Sequence, residues 1–254
     1  MRRIRLFATF LLCMLSDCNA GAQTQPLSPL RQYLTIRSAG FPTLSPDGAQ
    51  VAFRTSLTGT SQLWKVRTGN LWPEQMTFFG SSILSAHWSP DGKSILVVHD
   101  VDGNEQYQFT LISADGTSQK PLTNAPSVRH GLGAWSNDGR FFSFHSNARN
   151  SQFTDCYLMN VSTGEAKRVF TRDASMSSGP LSNDGKWMAA TESRSNFDSD
   201  VWLINLETGI GRNVTHHSGE ELSSPVAFTP DGSKLIINTN RGSEHSRLQA
   251  FDLK

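Results

Sequence analysis

The sequence predicts an all-β fold, a β-propeller of about five four-stranded blades, and three observations carry that prediction. A turn of the form Ser/Thr-x-Asp-Gly occurs five times at near-constant spacing, with its glycines at 48, 92, 139, 185 and 232. Each turn sits among short runs of alternating apolar and polar residues, four to a unit of about 46 residues. No segment within the repeats shows a convincing helical period.

The units follow in order. Ser45-Pro46-Asp47-Gly48 opens the first, near 40–79, and Ser89-Pro90-Asp91-Gly92 the second, near 84–124. Ser136-Asn137-Asp138-Gly139 belongs to the third, near 131–172, and Ser182-Asn183-Asp184-Gly185 to the fourth, near 178–216. Thr229-Pro230-Asp231-Gly232 marks the fifth, near 224–254. Pro or Asn starts the turn, Asp bonds to nearby backbone amides, and Gly takes the left-handed conformation that closes the hairpin. Asp47, Gly48, Asp91, Gly92, Asp138, Gly139, Asp184, Gly185, Asp231 and Gly232 are therefore structural turn residues.

Before each turn comes a strand with an apolar end, such as Trp88, Trp135 or Phe228, and after it an alternating strand such as Ile95-Leu96-Val97-Val98. A third strand carries an aromatic, as in Leu63-Trp64-Lys65-Val66 and Trp202-Leu203-Ile204-Asn205. A shorter fourth ends in Met76-Thr77, Leu122-Thr123, Phe170-Thr171 or Val214-Thr215. One blade cannot bury its own apolar faces but stacked blades can, so Trp64, Trp88, Trp135 and Trp202 read as inter-blade packing. The fifth unit reaches only its third strand. Residues 33–38 have the alternation to supply the fourth and close the ring; otherwise the chain forms an open arc with an unpaired edge, which invites self-association.

The 254 residues carry 23 basic and 22 acidic side chains, a balance that argues against a nucleic-acid partner. Arg2, Arg3 and Arg5, the apolar run 6–15 and Ala20-Gly21-Ala22 form a secretory signal peptide over 1–22, cleaved after Ala22. A linker, 23–32, then precedes the propeller, 33–254. Leu15-Ser16-Asp17-Cys18 loosely matches a lipobox, but Asp17 stands where a small residue belongs, so lipoprotein processing at Cys18 is set aside. The mature chain is expected to be periplasmic or secreted, without a membrane span. Only Cys156 would remain in it, which excludes an intramolecular disulfide.

The repeated turn, preceded by an aromatic and followed by an alternating strand, resembles the WD-like repeat of TolB-like propellers and of the prolyl-oligopeptidase family. Gly103-Asn104-Glu105-Gln106-Tyr107-Gln108 with Phe109 and Leu111 looks like the second blade of the peptidase propellers. The stretch 135–165, with Ser146-Asn147-Ala148-Arg149-Asn150, Asp155, Tyr157 and Met159, looks like it as well. In that family an α/β-hydrolase domain with a Ser-Asp-His triad follows the propeller, which restricts entry to short peptides. This sequence has no G-x-S-x-G elbow, so no catalytic residue carries over. The resemblance implies the propeller alone: a non-catalytic binding or gating module for protein or peptide partners, with a TolB-like interaction scaffold as the alternative. A truncated peptidase reading frame would give the same sequence.

Asp100, Asp102, Gly103 and Asn104 spell the start of a calcium loop, but the bidentate Glu such a loop needs is not in place, so a polar hairpin is preferred and no cofactor is expected. His216 and His217 are adjacent, which points them to opposite faces of a strand and disfavours a shared metal. Glu220 and Glu221 read as a solvated loop end. Arg149, Arg172 and Arg241 fall at comparable loop positions and hint at a mouth that accepts carboxylates. A five-bladed glycosidase needs carboxylates at the centre, and the innermost strands offer His87 and Thr43 instead.

Overall fold

The computed structural model describes residues 37–69 and 72–253. The expected leader (1–22), the linker (23–32) and positions 33–36 of the candidate closing strand lie outside them. The described residues contain strands and no helix, and no helix is long and apolar enough to cross a membrane.

The first sheet is the meander β1 (Ala39–Leu44), β2 (Gln50–Thr55), β3 (Gln62–Arg67) and β4 (Glu74–Gln75), and the second is β5 (Ile83–Trp88), β6 (Ser94–His99), β7 (Gln108–Ser113) and β8 (Gln119–Pro121). The third comprises β9 (His130–Trp135), β10 (Phe141–Asn150), β11 (Phe153–Asn160) and β12 (Ala166–Phe170). A single parallel pair, Thr154 with Ser175, joins it to the fourth, β13 (Ser175–Leu181), β14 (Trp187–Ser195), β15 (Asp198–Asn205) and β16 (Gly211–Asn213). The last sheet has three strands, β17 (Ser223–Phe228), β18 (Lys234–Thr239) and β19 (Arg247–Asp252). All other pairings are antiparallel, as short connections demand.

Alternation sends successive side chains of one strand into two different cores. In β6, Ile95 and Val97 join Ala52, Leu63 and Met76 of the first sheet, whereas Leu96 and Val98 join Phe142, Phe144 and Met159 of the third. In β14, Met188 and Ala190 meet Cys156 and Val169 of the third sheet, and Ala189 meets Leu235 and Ile237 of the last. Each core cluster thus lies between consecutive sheets, the packing of propeller blades. Trp88 is buried and donates to the Thr43 carbonyl at 3.2 Å, and Trp135 packs edge-on against Phe142.

The first strands of the blades form the inner layer: β1 packs on β5, β9 on β13 and β13 on β17. Ser143 Oγ donates to the Gly179 carbonyl at 2.6 Å and Ser178 Oγ to the Phe144 carbonyl at 2.7 Å, tying β10 to β13. Among the described residues no backbone hydrogen bond joins the first sheet to the last. Val226 of β17 and Leu248 of β19 stay 48% and 68% exposed.

Candidate functional site

In an antiparallel meander the first and third turns lie at one end and the second turn, with the link to the next blade, at the other. The five Ser/Thr-x-Asp-Gly turns therefore share an end, and they are built alike. In the first, Ser45 Oγ donates to Asp47 Oδ1 at 2.6 Å, the Ala49 amide donates to the same oxygen at 3.0 Å, and Gly48 has φ +70°. Equivalent bonds recur at Asp91, Asp138, Asp184 and Asp231, with φ between +67° and +70° at Gly92, Gly139, Gly185 and Gly232. The Ser45, Ser89 and Ser182 hydroxyls hold the Asp47, Asp91 and Asp184 carboxyls below the usual range. The Arg140 amide with Ser136 holds Asp138 at about 2, and Thr229 with Ser233 holds Asp231 at about 2.

Successive turn tips touch. Pro46 lies over Gly92 and Pro90 over Gly139, each at van der Waals distance from the position a Cβ would take. Where Asn replaces Pro, side-chain amides make the link: Asn137 Nδ2 donates to Asn183 Oδ1, and Asn183 Nδ2 to the Pro230 carbonyl at 2.8 Å. Between the third and fourth turns lies a cavity of about 730 Å³, floored by Phe141, Leu158 and Leu181 and rimmed by Arg140 and Lys186.

The opposite end is a belt of ion pairs. Arg149 donates from Nε and Nη2 to buried Asp155 at 2.7 and 3.0 Å and also pairs with Asp173. Arg172 binds buried Glu192 at 3.0 Å and lies 4.5 Å over the Trp202 ring, whose Nε1 donates to the same carboxylate at 2.6 Å. Arg241 takes Glu221 at 2.9 Å and the Thr215 carbonyl at 2.8 Å. The three arginines singled out in the sequence are thus each engaged by carboxylates of the chain itself, and Glu221 is a paired residue rather than a solvated loop end. Glu220 is exposed.

Sequence reasoning missed the densest cluster of this belt. Arg194 pairs with Asp198 at 2.6 Å and with fully buried Asp200 at 2.5 Å, while Asn213 and Thr215 also donate to Asp200. His217 is wedged between Asp198 at 3.0 Å and Asp200 at 3.1 Å. Burial works against charge on His217, but the Thr215 carbonyl and the two carboxylates outweigh it and raise its pKa. Burial also pushes Asp200 up, yet the donors from Arg194, Asn213 and Thr215 leave it below its ordinary value. The signal was present: Arg149 with Asp155 recurs 45 residues later as Arg194 with Asp200.

The threonines ending the fourth strands act as clasps. Thr77, Thr123 and Thr215 accept from the amides of Leu63, Phe109 and Val201 at 2.8–2.9 Å. Asp100 is buried and accepts from the Glu105 amide at 2.9 Å, while Asp102 and Glu105 adopt positive φ in an exposed turn. Among the described residues no group of three or more His, Cys, Asp or Glu side chains is arranged to hold a metal ion.

Blades of this form, clasped at both ends, define the class: a β-propeller. Comparison with known proteins places the chain beside particular members. It is 20% identical to the putative TolB of Agrobacterium tumefaciens, with a TM-score of 0.62 over 85% of this chain and 78% of that one. A prolyl endopeptidase structure superposes with a TM-score of 0.67 at 13% identity, over 85% of this chain and 34% of that one. Among curated relatives, the uncharacterized protein Atu1656 of Agrobacterium fabrum is 28% identical over 206 residues, 77% of this chain and 64% of its own length. The uncharacterized peptidase YuxL of Bacillus subtilis is 27% identical over 81% of this chain and 30% of its own. The chain thus spans under two thirds of the length of Atu1656 and about a third of that of the peptidases. No family model matches it.

Proposed function

We propose that this protein is an exported, non-catalytic β-propeller that binds peptide or protein ligands, a binding or gating module like the propeller of a prolyl-oligopeptidase-family peptidase. The observation that carries this reading is the lopsided match to YuxL, 81% of this chain against 30% of the peptidase. What is shared is the repeat, and the sequence holds no G-x-S-x-G elbow. The expected leader, 1–22, supports export. Purified protein should bind short peptides saturably in fluorescence anisotropy and release no product from peptidyl amides. Turnover abolished by a serine-directed inhibitor would overturn the reading.

A TolB-like interaction scaffold is the second reading, supported by the 78% coverage of the Agrobacterium TolB chain. It predicts a folded protein partner whose binding short peptides do not compete away. Contact through the turn-tip end would be mapped by substituting Arg140 and Lys186 at the rim of the 730 Å³ cavity.

A further inference from the structure

The inner strands β5 and β9 part where the other consecutive inner strands pack, and a pocket of about 370 Å³ opens between them. That volume suits one residue-sized group. Its polar lining is rich in donors and holds no carboxylate. His145 Nδ1 accepts from the Ser178 amide at 3.3 Å, so the neutral ring carries its proton on Nε2. That nitrogen occupies the space of the absent Gly131 side chain, 2.1 Å from where a Cβ would lie, which brings the ring onto the pocket-lining strand.

His130 is only 7% exposed, packed by Phe109 and Phe144, and its Nδ1 is buried without a hydrogen-bond partner. Native proteins rarely leave such an atom unsatisfied. Asn147 fixes the Arg129 backbone at 2.8 Å, and among the described residues no carboxylate meets the Arg129 guanidinium, unlike those of Arg149, Arg172, Arg194 and Arg241. Burial lowers His130 to about 4 and His145 to about 4, and Arg129 and His130 add repulsion at His145. His145 pairs with Gly131 and His130 with Ser146, so the two imidazoles leave opposite faces of the third sheet, while Arg129 alternates onto the face of Gly131 and His145; all of them line the pocket.

We propose that this pocket binds a carboxylate of a peptide ligand, held by the Arg129 guanidinium and the His145 imidazole, with Leu84 and Leu132 receiving the adjoining apolar side chain. The donor set requires acceptor oxygens, and the guanidinium requires charge on them. The peptide rests on the binding reading above; the carboxylate does not.

The full chain is titrated with acetyl-leucine, acetyl-leucinamide and acetyl-glutamyl amide, by calorimetry and by NMR of the Gly131 amide and the histidine rings. Acetyl-leucine should bind and shift those signals, with the leucinamide weaker by about tenfold or more. Arg129→Gln should cost a similar factor, and Gly131→Ala, which displaces His145, should abolish binding. Arg129 is exposed, so its variant tests the idea even where Gly131→Ala fails to fold. Binding of the glutamyl amide as tight as that of acetyl-leucine assigns the site to side-chain carboxylates, and weaker binding to chain termini. Equal affinity for acid and leucinamide, or indifference to Arg129→Gln, overturns the proposal. So does zinc binding lost with His130→Ala while acetyl-leucine fails to bind. Acetyl-leucine bound where no peptide binds would leave the subsite and remove the peptide-module reading. Peptide binding indifferent to both variants would do the reverse.

Discussion

At the residue scale, opposite pKa shifts on histidines give the protein two distinct pH limits. The raised pKa of His217 makes its charged form part of the folded state, held by Thr215, Asp198 and Asp200. That stabilisation is complete below the unfolded value near 6.5 and is lost as pH rises through the higher folded value. Melting temperature should therefore fall as pH rises above about 6.5, and His217→Asn should flatten this limb in thermal melts. An unchanged alkaline limb in the variant would refute the assignment. His130 and His145, depressed to about 4, act in the other direction. Their contribution is present above about 6.5 and is lost as pH falls toward 4. Residue identity alone could not separate these roles. His217 differs from exposed His216 only in the carboxylates that the fold brings to it.

At the element scale, the strands were the most legible feature of the sequence because their period of two is a local property. The turns were as plain, since each bond from a Ser or Thr hydroxyl to the Asp two residues on is closed within four residues. The belt of ion pairs was not, because Arg172 finds Glu192 and Arg241 finds Glu221 twenty residues away, brought together only once the intervening strands pair. The threonine clasps repeat visibly, yet their bonds depend on strand register.

The inter-blade cores make quantitative predictions at this scale. Phe142 is fully buried, 5.4 Å edge-on to Phe109 and 6.0 Å from Phe144. Phe142→Ala should cost about 3–5 kcal/mol in urea unfolding. Phe53→Ala, at a half-buried position of the first blade, should cost less; equal losses would contradict the two-sided core. Cys156 sits fully buried between the third and fourth blades, and burial pushes its thiol up to about 12. In a Cys13→Ser, Cys18→Ser background it should react with a thiol reagent only as fast as those blades separate. Rapid labelling of the folded protein would show that this junction opens locally.

At the scale of the whole molecule, stability is expected to vary along the chain, because each blade touches only its neighbours. Strands β6, β10 and β14 carry packed side chains on both faces: Ile95 and Leu96, Phe142 and Ser143, Met188 and Ala189 point alternately into different junctions. The last sheet is packed on one face through Leu235 and Ile237, while Val226 and Leu248 stay exposed. In the first, Ala52 and Leu63 are fully buried, but Val51, Phe53, Trp64 and Val66 are only half-buried. Opening a middle blade breaks two junctions, and in an open arc opening a terminal one breaks a single junction. Amide exchange should accordingly be slowest in β6–β7, β10–β11 and β14–β15 and faster in β2–β3 and β18–β19. Exchange measured by mass spectrometry on peptic fragments reads this directly. Protection equal in all the described sheets would mean that the first and last share a junction as extensive as the others, which is the closed ring that residues 33–38 were expected to complete. A gradient falling toward both ends would mean that the apolar faces around Trp64 and Leu248 are left for a partner to cover.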